Sequence, residues 1–432
     1  MPTPSVDPAL HETLRQSVAD GFAAQLDLTA EFVGCPSQRG AEHAMQDIVF
    51  AALRDRGLKM DRFEMDRAAL EAHPGAGRIS ATHSDAPIVV GIHHPREETG
   101  HSLFLQGHVD VVPTGPEHMW THPPYSATIR DGRMYGRGAG DMKSGLVCAI
   151  AALDALRRAG WQPAATVYLA SVVEEESTGN GAMMAHLRGY RAEAALIPEP
   201  TGESLVRANT GVLWFRVELE GVPVHVSHMG TGANAIDAAI RVIGALREVE
   251  TRWNEEAASD PHFGAMEHPL NLNVGKIEGG EWASSVPARA AVDFRVSILP
   301  GWSAEERAAE IERQLSEFAA SDTFLANNPP RLTWNGFFTQ GYEQPEGTEA
   351  EAVLASAHEA AMGYPLGSHA MPAYLDARVH ALFEGIPALC YGAKSLASHG
   401  FDESVDLASL ERTTLAIALF IAGWCGLEPV AD

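Results

Sequence analysis

Positive charge is what this sequence has least of. Its 432 residues hold 31 Lys and Arg against 57 Asp and Glu, a formal net charge of -26. A broad basic face for nucleic acid or anionic lipid is excluded, because phosphate binding needs clustered Lys and Arg. Cysteine is scarce. Cys35, Cys148, Cys390 and Cys425 lie far apart, with no CxxC pair, the pattern of reduced thiols in a cytosolic protein. Long apolar runs are missing too. The longest, "LAIALFIAGWCGL" near the C-terminus, is about 13 residues, short for a membrane span and suited to a buried helix. "MPTPSVDPALHETLRQ" at the N-terminus has neither a basic region nor an apolar stretch, so no secretory signal is expected. No GxSxG is present, which argues against a serine hydrolase. The expectation is a cytoplasmic protein with neither nucleic acid nor membrane as partner.

What is present is an ordinary globular composition, 45% hydrophobic and 20% charged, in a chain long enough for two domains. Helical patterning runs through "LHETLRQSVADGFAAQLDLTAEFV" and "AEHAMQDIVFAALRDRG". Apolar strands "PIVVGI", "SLFLQG", "ATVYLASVV" and "EAALIP" then alternate with helices. That order predicts an α/β fold with a mixed, largely parallel sheet flanked by helices, and a site at the strand C-terminal ends. From residue 209 the order becomes β-α-β-β-α-β, the ferredoxin-like α+β module. After about residue 340 the earlier style resumes. The expected division is a discontinuous catalytic domain, 1–208 and 340–432, with an inserted domain at 209–339.

Four strand ends and one glycine-rich turn carry the chemistry. "SLFLQGHVD" ends in His108 and Asp110, which share one side of a strand. "YGRGAGDMKSG" places Asp141 just before a helix, "ASVVEEESTGNG" supplies Glu174, Glu175 and Glu176, "ALIPEPTG" supplies Glu199, and "GAKSLASHGFDES" supplies His399. Each stretch alone has a bland reading as a cap, a solvated loop or a polar strand end. Together, His108, Asp141, Glu175, Glu199 and His399 suit a pair of Zn²⁺ ions, with Co²⁺ or Mn²⁺ accepted by the same donors. Such a pair can share and acidify a water, and Glu174 beside a ligand is positioned as the general base.

These motifs resemble the acetylornithine deacetylase / succinyl-diaminopimelate desuccinylase / carboxypeptidase G family of dizinc metallohydrolases, in the right order from roughly residue 25 to the C-terminus. The resemblance implies that His108, Asp141 and Glu199 hold one zinc, and Asp141, Glu175 and His399 the other. It implies that Asp110 orients His108 and that Glu174 is the base. It further implies a ferredoxin-like lid through which the chain forms a homodimer. In "GVPVHVSHMGTGANAI" it selects His225 for the partner's active site and Asn234 for holding substrate. "AYLDARV" makes Arg378 the grip for a substrate carboxylate, although Leu375 replaces the usual Thr. Arg295 in "DFRV" is a further substrate contact. The expected reaction is hydrolysis of an N-acyl amino acid or related amine, with dipeptidase or carboxypeptidase action as the alternative. One rival pattern exists: Gly230, Gly232 and Ala235, with Glu250 farther on, mimic the dinucleotide fingerprint of a nicotinamide-dependent dehydrogenase.

Overall fold

The computed structural model describes residues 7–430. The first six positions of the expected catalytic segment, part of the stretch read for a signal, lie outside the described residues, as do the last two. Helix α1 (Pro8–Gly34) starts where Asp7 accepts from the Ala9 N–H and Pro8 takes a position that needs no amide donor. Then come α2 (His43–Asp55), β1 (Lys59–Phe63), β2 (Ile88–His93), β3 (Leu103–His108), α3 (Lys143–Arg158), β4 (Val167–Val172), α4 (Asn180–Arg188) and β5 (Ala194–Ile197). The inserted segment supplies β6 (Gly211–Glu220), α5 (Ala235–Ala257), β7 (Leu272–Gly279), β8 (Arg289–Ile298), α6 (Ala304–Ser321) and β9 (Arg331–Thr339). The chain returns with α7 (Glu349–Met362), β10 (Ala388–Cys390) and α8 (Leu407–Cys425).

The larger sheet runs β1-β2-β4-β3-β5-β10. β4, β3, β5 and β10 are mutually parallel, whereas β2 pairs antiparallel to β4 and β1 antiparallel to β2. Every residue of β3 is buried, as a strand covered on both faces by helices requires. α8 is apolar enough to span a membrane by length, but 67% of its apolar window is buried within the protein. It packs on α1, α3 and α7, so it is a core helix.

The second sheet runs β7-β8-β6-β9, all antiparallel. This is the strand order of a ferredoxin-like module. One face of it packs Phe215, Val217, Val292 and Val296 against α5 and α6 in a core separate from that of the larger sheet. The module also disposes of the dehydrogenase pattern. β6, the strand before the glycines, pairs antiparallel on both sides, so there is no parallel crossover to hold a dinucleotide. Glu250 is occupied by the Leu272 N–H and Arg247.

Candidate metal centre and active site

The parallel strands end on one edge, and the predicted ligands gather there. His108 closes β3, Glu175 and Glu176 follow β4, Glu199 follows β5, and His399 lies in the loop after β10. His108 Nε2 lies 3.2 Å from Asp141 Oδ1 and 3.8 Å from both Glu175 Oε2 and Glu199 Oε1. His399 Nε2 lies 3.5 Å from Asp141 Oδ2 and 3.0 Å from Glu176 Oε2. Asp141 therefore stands between the two histidines, one oxygen toward each. Two ligand groups result, His108–Glu175–Glu199 and His108–Asp141–Glu176, each with its donor atoms within 4.8 Å of one another.

The electrostatics call for cations. Burial opposes charge on His108, but Glu175, Asp141, Glu199 and Asp110 outweigh it and raise its pKa well above the usual range. Burial lifts Glu175 and Glu199 well above the usual carboxylate range; His108 opposes this, and the neighbouring acids add to it. Glu176 is the main cause that raises His399 to about 11. Glu199 Oε1 is buried with no hydrogen-bond partner among the described residues. Carboxylate and imidazole donors crowded this closely, with an acceptor left over, fit a pair of divalent ions.

The surroundings fix these ligands. Glu403 accepts from the Gly140 and Asp141 N–H groups at 3.0 and 2.9 Å, and Arg137 binds Glu403 at 2.5 Å and donates to the His399 carbonyl. Gly145 and Gly392 hold the Glu199 turn from two sides. A Cβ on Gly145 would stand 1.9 Å from the Pro198 carbonyl oxygen, and one on Gly392 2.1 Å from that of Glu199. His399 itself has φ +64, a conformation an L-residue keeps only when its neighbours enforce it. Arg137 and Glu403 were not anticipated from sequence; their only local signal is proximity to the Asp141 and His399 motifs.

Several expectations need correction. Glu174 does not face the cage. Its side chain is fully buried, it takes a bidentate ion pair from Arg39 at 2.5 and 2.8 Å, and it accepts from the Ser84 N–H and the Thr178 hydroxyl. Every strong acceptor direction is used, so it is not free to act as a base. Glu175 lies beside His108 and Glu199 rather than beside His399; Glu176 takes that second position. The motif was thus read one residue early, because three adjacent glutamates offer no internal mark of register. Asp110 orients His108 through its backbone: His108 Nδ1 is 2.9 Å from the Asp110 carbonyl oxygen and 3.6 Å from its carboxylate. The carboxylate accepts instead from the Glu175 and Glu176 N–H groups.

Among the substrate residues the placements diverge. Arg295 lines a cavity of about 960 Å³ between the cage and the second sheet. Burial lowers its pKa to about 10. Arg378 does not line that cavity; it is buried and donates to the Gly75 carbonyl. Asn234 caps α5, its Oδ1 accepting from the Ile236 and Asp237 N–H groups, and does not line that cavity. His225 is exposed and outside the cavity, with Nδ1 2.8 Å from Ser227 Oγ. Asp293, in the same DFRV stretch as Arg295, lines the cavity with it, and Trp214, Arg216, Asn273, Phe337 and Tyr374 do so unanticipated. On β6 and β8 their alternation with core residues was visible, but not which cavity that face would meet.

Comparison with known proteins agrees with this geometry. The chain is 27% identical over 364 residues to the N-formyl-4-amino-5-aminomethyl-2-methylpyrimidine deformylase of Halalkalibacterium halodurans, covering 80% of this chain and 84% of that one. It is 26% identical over 410 residues to the enzyme of the same name from Bacillus subtilis, covering 90% and 91%. The fold superimposes on the dipeptidase Dug1p of Saccharomyces cerevisiae with a TM-score of 0.80 at 14% identity, over 96% of this chain and 98% of that one. The profile of Peptidase family M20/M25/M40 matches residues 104–423, well over half of the sequence and all five ligand-bearing motifs. The chain belongs to that family of hydrolytic enzymes.

Proposed function

We propose that this protein is a deacylase of the acetylornithine deacetylase-like branch, removing a small acyl group from a primary amine, with formyl as the leading candidate. The observation that carries this is the Asp141 carboxylate standing between His108 and His399 at the edge of a buried acid cage. His108, Asp141 and Glu199 would hold one divalent ion, and Asp141, Glu176 and His399 the other. The pair, zinc or a similar transition ion, would supply carbonyl polarisation and an acidified water. Glu175, the carboxylate left over, takes the water's proton and delivers it to the leaving nitrogen. Asp110 sets the angle of the Glu175–Glu176 turn through its two N–H bonds. The deformylase relatives support the acyl half of the reading.

The inserted module, residues 209–339, acts as a lid over a discontinuous catalytic domain, 1–208 and 340–432. The lid also dimerises. Support comes from Val226, Met229 and Trp282, 45%, 62% and 74% exposed; the first two follow His225 in sequence and Trp282 lies just before Ser285, which bridges to His225, a concentration of apolar surface that monomers rarely leave open. In that dimer the partner subunit's His225 supports the developing oxyanion. Free thiols at all four cysteines support a cytoplasmic location. Cleavage of a dipeptide uses the same bond chemistry and is the competing outcome of a substrate panel.

The test separates two neighbouring glutamates. Glu175→Gln should retain two metal ions per subunit by elemental analysis and lose about three orders of magnitude or more in kcat. Glu174→Gln should lower the melting temperature as well as activity, because it loosens Arg39 and the Ser84 segment. Full activity in Glu175→Gln would end the assignment.

A further inference from the structure

The two ligand histidines are held in different ways. His108 ends a buried strand, and its Nδ1 bonds the Asp110 carbonyl at 2.9 Å. His399 has a side chain 54% exposed, and its Nδ1 has no hydrogen-bond partner among the described residues. The other two groups beside it are anchored through their backbones. Asp141 N–H donates to Glu403, and Glu176 N–H donates to Asp110. The aim of His399 therefore depends on the backbone of its own loop.

That loop is the turn of a short hairpin in which Ser395 pairs with Val405 and Leu396 with Ser404. Three of its residues, Ala397, His399 and Asp402, have φ of +56°, +64° and +55°. Residues other than glycine seldom adopt this conformation, and several in one turn persist only where something outside enforces them.

The chain that leaves β3 after His108 supplies the outside hold. Asp402 Oδ1 accepts from the Thr121 and His122 N–H groups at 2.8 and 3.2 Å. The Phe401 ring meets Trp120 edge-on, with centroids 6.1 Å apart at 81°. Trp120 is fixed in turn. Its indole N–H donates to the Thr114 carbonyl at 2.8 Å, and the Arg137 guanidinium lies 5.2 Å from its ring centre. Arg137 also donates to the Pro113 and His399 carbonyls, both at 3.3 Å. Trp120, Phe401 and Asp402 do not line the cavity, so substrate contact does not account for this grip.

We propose that segment 113–122 is a latch for the second metal ion, with Trp120, Phe401 and Asp402 as positioning residues that aim His399. The inference rests on the two-ion reading and goes beyond it. A metal ligand must be placed to a fraction of an ångström, and a turn freed at residues 401 and 402 would let the His399 ring swing. The Asp141–Glu176–His399 site then weakens, while His108 and Glu199, on strand ends away from the turn, keep their ion.

The experiment titrates metal-free protein with zinc against a competing chelator and resolves a dissociation constant for each ion. His399→Ala, which removes a ligand, marks the constant that belongs to the second site. Asp402→Ala should leave the first constant unchanged and weaken the second by about 10–100-fold. Asp402→Asn keeps an acceptor oxygen and a residue type that tolerates positive φ, so it should restore most of the loss. Phe401→Ala should weaken the second ion to a lesser degree. Melting temperatures of the metal-free variants are measured alongside. An unchanged second constant in Asp402→Ala overturns the latch and leaves the two-ion reading standing. Equal weakening of both ions, with a lower melting temperature of the metal-free protein, also overturns it, because the contact would then serve folding alone. Wild-type protein that takes up fewer than two ions ends both.

Discussion

The two walls of the cavity differ in how their side chains are held. On the catalytic edge, His108, Glu199 and Glu175 are buried, at 1%, 2% and 6% exposure, and each comes from a strand end fixed by its neighbours. On the lid wall, Asn273 and Lys276 are exposed on the edge strand β7, and Trp214 and Asp293 keep bonding capacity in reserve. The difference separates two tasks. Ligating two ions needs positions set to a fraction of an ångström, so those side chains are anchored by other parts of the chain. Selecting a substrate needs groups whose partners are supplied only on binding, so those side chains are left incomplete.

Substitutions can break this contrast, and the largest effect should come from its catalytic side. Asp141→Ala removes the carboxylate between the histidines. It should cut metal content from two ions per subunit to one or fewer by elemental analysis, with activity falling by about four orders of magnitude. The lid counterpart is Arg295→Gln, which should keep both ions and change KM more than kcat. If Arg295→Gln lost metal, the two walls would not be separate in function. A middle-sized effect belongs to Glu403, which touches no substrate yet holds the Asp141 backbone. Glu403→Gln should weaken metal binding by about 10–100-fold in a competitive chelator titration and be rescued by added zinc. Activity unchanged at limiting zinc would show that Asp141 holds its place unaided.

The same contrast explains what could be read from sequence. The α/β alternation, the β-α-β-β-α-β insertion and four strand-end motifs were legible because periodicity and glycine punctuation record backbone geometry directly. His108, Asp141, Glu199 and His399 each stand alone in a motif, so their placement followed. Glu174, Glu175 and Glu176 did not sort themselves, since three identical residues differ only in which way a turn points them. Only the structure shows Arg39, more than 130 positions earlier, capturing Glu174. Asn234 was read as a substrate group, and its Oδ1 also caps a helix, a role the same residue type fills equally well. Arg378 was read as a carboxylate grip, but burial behind Tyr374 and Phe383 takes it out of reach. Of the wall on the second sheet only Arg295 was legible, because the other groups converge from β6, β7, β8 and β9, with no spacing to mark them.

The smallest expected effect concerns the anchoring itself. Glu203 follows the Glu199 turn, and its buried carboxylate binds Lys394 at 2.7 Å, Arg412 at 2.6 Å and the Tyr364 hydroxyl at 2.6 Å. It thereby ties the Glu199 loop to the segment leading to His399. Burial alone would raise its pKa, but Lys394, Tyr364, Ser409 and Arg412 overcome that and hold it at about 2, against 4.5 for an ordinary glutamate. A carboxylate with a depressed pKa in the folded state adds stability that is fully present above pH 4.5 and lost as pH falls toward 2. Lys394 and Arg412 are 52% and 39% exposed, so water screens the cluster and about 1–2 kcal/mol is the expected contribution. Glu203→Gln should therefore melt a few degrees below wild type at pH 7, and the gap should narrow as the buffer is taken from pH 5 to pH 3. On the lid, Glu218→Gln removes an exposed partner of Arg331 and should leave the melting temperature unchanged at every pH. A gap for Glu203→Gln that is constant with pH would mean that the side chain stabilises the loop by shape and not by charge.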